Sequence, residues 1–89
     1  MYQITDYSYR KAKELKLTIK PSTRKDKKID VYKNDEYITS IGNSNYMDYP
    51  TYILKNGKEY ADKRRRLYYI RHKKDISHFR GNLTAHILW

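Results

Sequence analysis

The chain has 89 residues, with twenty Lys and Arg against ten Asp and Glu, a net charge of +10, and no cysteine. This length suits one domain and leaves no room for two. The missing thiols exclude disulfides and thiolate metal sites, and no apolar run approaches the roughly 20 residues that cross a bilayer. The charge exceeds the about 2–8 that a small domain needs for solubility, so the partner expected first is a polyanion.

Hydrophobic residues make up 38%, and that count includes eleven tyrosines. Tyrosine rings must therefore supply much of the core area. In chain order, Thr5 or Asp6 can cap a helix over about residues 7–15, with Tyr9, Ala12 and Leu15 on its inward face. Residues 17–19 alternate as a short extended segment, and the five basic residues and proline of residues 20–28 predict an exposed loop. Two β-rich runs, Ile29 to Lys33 and Glu36 to Gly42, flank Asn34-Asp35 and predict a hairpin. Asp48 can cap a short helical turn with Pro50 in its first turn, and Asn56-Gly57 marks a second turn.

Residues 58–74 contain neither Gly nor Pro and predict a basic helix, with Tyr60, Leu67 and Ile70 as its inward stripe. Gly81-Asn82 precedes Leu83 to Trp89, a short helix or extended arm. The predicted fold is α+β in a single domain over residues 1–89. A small antiparallel hairpin or sheet is packed by the basic helix and by the shorter N-terminal one.

Several phrases in this order resemble a family of short basic proteins of giant nucleocytoplasmic large DNA viruses. They are Lys27-Lys-Ile-Asp-Val-Tyr32, Ser40-Ile-Gly42, Asp48-Tyr-Pro-Thr-Tyr52, Ala61-Asp-Lys-Arg-Arg65 running into Leu67-Tyr68, Arg71-His72 and Ile87-Leu-Trp89. The resemblance spans about Tyr7 to Trp89. It implies a viral origin and a compact mixed fold, and it brings no catalytic residues with it.

Residues 58–74 hold eight Lys or Arg and two acids, Glu59 and Asp62. Lys63, Arg64, Arg65 and Arg66 wrap most of a helical turn. Arg64, Arg71 and Lys74 recur at seven and three residues, forming a ridge whose guanidinium groups can grip phosphate oxygens. Arg24, Lys25, Lys27 and Lys28 form a second basic cluster suited to following a phosphate backbone without reading bases. Either cluster can also be read as ordinary solvated charge, and the helix cluster as a face for acidic protein surface. Tyr32 and Tyr37 flank the hairpin turn and are the rings placed for base stacking, while the other tyrosines suit core and interface.

His72, His78 and His86 lie six and eight residues apart, which fits no helical metal pair, and no acidic cluster completes a site. No catalytic site, cofactor or metal is expected, and the chain does not read as an enzyme. Ile87, Leu88 and Trp89 should anchor the tail in the protein's own core or in a neighbouring subunit. The first function expected is a small viral accessory protein that binds nucleic acid, DNA first, through its phosphates and independently of sequence, and is packaged with the genome. The alternatives are a structural virion component, such as a minor capsid or cement protein whose basic face meets acidic protein surface, and a host-interaction module. A homo-oligomer or capsid-associated assembly is compatible with each. MYQITDYSYRKAK lacks the apolar core of a secretory signal, so the expected location is the virion or the host cytoplasm, in a viral factory.

Overall fold

The computed structural model describes residues 2–89 and divides into two compact units, Met1–Tyr46 and Met47–Trp89. The first holds α1 (Asp6–Glu14), β1 (Thr18–Pro21), β2 (Lys27–Lys33) and β3 (Glu36–Asn43). The second holds α2 (Tyr49–Asn56), α3 (Lys58–Arg71), one 3₁₀ turn (Asp75–Ser77) and α4 (Phe79–Leu88). The fold is α+β: a helix, a three-stranded antiparallel sheet ordered β1-β2-β3, then three helices.

Thr5 caps α1, its Oγ1 accepting from the Ser8 amide at 3.3 Å. The helix closes with Lys16 in the left-handed region (φ 60°), its amide bonded to the Lys13 carbonyl while the Leu17 amide reaches Ala12. Its buried residues are Ser8 and Ala12, whereas Tyr9 and Leu15 are exposed. Small side chains at i and i+4 let the helix approach closely where it meets β1, and the larger predicted face turns outward.

The hairpin turn forms as its residues require. Asn34 and Asp35 take φ of 52° and 67°, positive at both central positions, and Lys33 pairs with Glu36 across them. The register sets Ile19 beside Val31 and Ile29 beside Ile41, all four buried. Burying such side chains contributes roughly 1.5–3 kcal/mol each. The expected loop at residues 20–28 is shorter than its composition suggests, because Lys20 and Pro21 belong to β1 and Lys27 and Lys28 to β2. Residues 22–26 alone make the connection.

In the second unit Asp48 caps α2, its Oδ1 accepting from the Thr51 amide at 3.0 Å, and Pro50 sits in the first turn. The predicted single turn runs on for eight residues. Gly57 (φ 88°, ψ 163°) ends α2 and starts α3, a conformation reserved for glycine. α4 begins ahead of Gly81, which lies inside it. A Cβ there would run into the Asp75 carbonyl, so glycine is what lets α4 fold back on the 3₁₀ turn.

Candidate phosphate-binding surface

α3 carries the strongest basic cluster, and its orientation differs from the one its aliphatic residues suggest. Tyr60, Leu67 and Ile70 are exposed. The inward residues are Ala61, Arg65, Tyr68 and His72, spaced by four, three and four, with Asp62, Arg64 and Tyr69 alongside. Aromatic rings bury more area than a leucine, and arginine stems can lie along them while the charged head stays near water. A stripe of Ala, Tyr and Arg therefore displaces one of Leu and Ile.

The inward rings stack. Tyr68 lies 4.4 Å from Trp89 at an interplanar angle of 7°, and 4.4 Å from His72 at 28°. Tyr52 extends the cluster, 6.2 Å from Trp89 and 5.7 Å from Tyr60. Burial, followed by the negative charge that Tyr69 and Asp75 can carry, pushes the Tyr68 hydroxyl up to about 12. The tail anchor thus has a definite seat: Ile87 and Leu88 are buried, and Trp89 closes the aromatic stack.

These rings sort the α3 cations into two sets. Arg64 lies 5.5 Å above Tyr52, and its Nε is buried with no hydrogen-bond partner. Arg65 lies 5.0 Å from Tyr49 and 5.8 Å from Tyr69. Both are half-buried and help to hold the helices. Lys63, Arg66, Arg71, Lys73 and Lys74 are exposed. Lys74 follows the helix end at Arg71, so the ridge predicted through Arg64, Arg71 and Lys74 does not run along one helix.

A shallow groove of about 880 Å³ opens beside the exposed set. Lys58, Arg65, Arg66 and Lys73 supply its cations, Tyr69, Ile70 and Ile76 its apolar floor, and Asp62 its one acid. Asp62 is already engaged: the Tyr49 hydroxyl donates to Oδ1 at 2.6 Å, and Lys58 Nζ donates to Oδ2 at 2.9 Å. The Tyr49 bond, then the Lys58 bond, hold its carboxyl below the ordinary value, and the same contacts raise Tyr49 and Lys58. Arg66 and Lys73 take part in no ion pair among the described residues. The groove is therefore positive where it faces solvent. Of its lining, sequence reasoning reaches Arg65 and Arg66 and places Ile70 on an inward stripe, whereas the Lys58–Asp62 pair and Ile76 carry no signal that singles them out.

The second basic cluster is spread over different surroundings. On one sheet face the register aligns Lys20, Asp30 and Ser40 across all three strands. Ser40 donates to Asp30 at 2.6 Å, the Tyr37 hydroxyl lies 2.8 Å from Ser40 Oγ, and Arg24 approaches Asp30 at 3.7 Å. Arg24 also lies 4.4 Å over the Tyr37 ring, and Lys20 lies 5.1 Å over Tyr32. Tyr32 and Tyr37 meet edge to face at 5.9 Å. Both rings proposed for stacking thus already carry a cation. Lys25 is exposed and Lys27 half-buried, but Lys28 is buried with its ammonium 5.2 Å from the Tyr2 ring. Placed on the central strand, Lys28 drops out of any surface a phosphate can reach.

His72 Nδ1 lies 2.9 Å from Asp75 Oδ2. Among the described residues no group of three or more His, Asp or Glu is placed to hold a metal ion, and no helix is long and apolar enough to cross a membrane. The geometry defines a small α+β protein with an open, basic-rimmed groove. No protein-family model, curated protein or solved structure matches the chain.

Proposed function

We propose that this protein binds nucleic acid through its phosphates, without reading base sequence and without catalysis, using the exposed cations beside α3. One observation carries the reading. The groove gathers Lys58, Arg65, Arg66 and Lys73 around a single acid whose carboxylate is already bonded to Tyr49 and Lys58. With that acid engaged, Arg66 and Lys73 are left as surplus positive charge on the groove. The second unit as a whole carries ten Lys and Arg against four acids, so an approaching polyanion meets a positive field before contact. The resemblance in sequence implies a viral origin, and travel with a viral genome is part of this proposal.

The test uses salt. Affinity for a duplex should fall linearly in log–log form, by about 0.9 per phosphate neutralised. Arg66→Gln with Lys73→Gln should flatten that slope by about two while leaving circular dichroism unchanged, since both residues are exposed. Unrelated duplexes of equal length should bind within a few-fold of one another. An unchanged slope refutes the assignment.

A further inference from the structure

The groove contains more apolar surface than phosphate binding requires. Ile70 stands 68% exposed among the cations, with Ile76 and the Tyr69 ring on the same floor. A duplex keeps its base faces stacked within and offers Ile70 only sugars and groove edges. An unpaired base has an open π-face, and stacking it on a protein surface is tolerant of sequence.

The floor is also prepared. Tyr69 is held in place: its hydroxyl donates to the Ala85 carbonyl at 3.2 Å, Tyr68 packs against it at 5.7 Å in a T-shaped contact, and Arg65 lies 5.8 Å from its ring, leaving Ile70 as the open apolar part of the floor. A ring that is already immobile loses little freedom when a ligand settles on it. The groove is shallow and open to solvent, so it offers a surface on which a base can lie.

We infer that this groove accepts an unpaired nucleotide of a single-stranded nucleic acid, its base over Ile70 and Tyr69 and its flanking phosphates on Arg66 and Lys73. The inference rests on the phosphate-binding reading above and narrows its ligand to the single strand. Ile70 is the discriminating residue because it carries no charge and is 68% exposed. Ile70→Ser keeps every cation, and the two residues have similar helix propensity.

The experiment compares oligo-dT, oligo-U and a duplex carrying the same number of phosphates, by fluorescence anisotropy over a salt series. Wild type should bind at least one of the single strands about five-fold or more tightly than the duplex. Ile70→Ser should remove that advantage while leaving duplex affinity, salt slope and melting temperature unchanged. Equal affinity for single strand and duplex overturns the inference and leaves phosphate binding standing, as does an Ile70→Ser loss shared equally by both. If no nucleic acid binds at moderate salt, both readings fall.

Discussion

Trp89→Ala is the substitution on which the second unit's account of stability depends most. The indole is half-buried, stacked on Tyr68 at 4.4 Å and tilted against Tyr52 at 6.2 Å. A large aromatic side chain buries roughly 150–250 Å² when covered. About 100 Å² is a fair share for a half-buried one, worth about 2.5 kcal/mol at roughly 25 cal/mol per Å². The stack on Tyr68 adds about 0.5–1.5 kcal/mol, for a total near 3 kcal/mol. At about 4–8 °C per kcal/mol for a protein of this size, the melting temperature should drop by more than about 10 °C. A second readout follows from the same stack. Burial pushes the Tyr68 hydroxyl up to about 12, so the folded state resists ionisation that the unfolded chain allows near 10. The stability this represents is present below pH 10 and is lost as pH rises from there towards 12. Uncovering the ring should bring its ultraviolet ionisation back towards the ordinary tyrosine value. A shift of under about 2 °C, with an unchanged alkaline titration, would refute the claim that the stack holds the unit together.

Two further substitutions test local statements. Gly57→Ala should cost about 1–3 kcal/mol in chemical denaturation, wholly through φ 88°, since nothing lies within 4 Å of the added carbon. D-alanine at that position, introduced by peptide ligation, should be nearly neutral, and equal costs for the two enantiomers would contradict the backbone explanation. Tyr49→Phe addresses the acid limb. Asp62 is held below its ordinary value by the Tyr49 bond and then by Lys58, so its contribution is present above the unfolded carboxylate pKa and is lost as pH falls through the lowered one. The stability gap between wild type and Tyr49→Phe should be open at neutral pH and narrow through the carboxylate range; a gap constant with pH would show that the bond has no linkage to Asp62.

Where local chemistry decides, the sequence was legible. Thr5 and Asp48 cap because an oxygen two or three residues ahead of free amides has one favourable use, and Asn34-Asp35 turns because both tolerate positive φ. The hairpin, the basic helix and the N-terminal helix all stand where those signals put them. What failed was the choice of faces. Ala12 is buried as expected, but Tyr9, Leu15, Tyr60, Leu67 and Ile70, placed inside because they are large and apolar, are exposed, while Ser8 and Ala61 hold inward positions. In a chain this rich in tyrosine and arginine, close approach of small residues and the packing of guanidinium stems on rings override aliphatic patterning. The candidate site was half visible. Composition located the cations of α3, but only the fold divides Arg64 and Arg65, lying on rings, from Arg66 and Lys73, which face water. Lys28 was similarly beyond reach, because membership of a central strand cannot be read from a basic run.

The central claim, that phosphate is met on the exposed cations beside α3, is tested most directly by mapping a nucleic acid onto the folded protein by NMR. Amide and side-chain resonances should be followed as a short oligonucleotide is added at low salt and then reversed with added salt. The account predicts that the largest shifts fall on Arg66, Tyr69, Ile70 and Lys73, with Lys28 silent, and that salt returns them to their free positions. Shifts that bypass residues 58–76, or that survive at high salt, would contradict it.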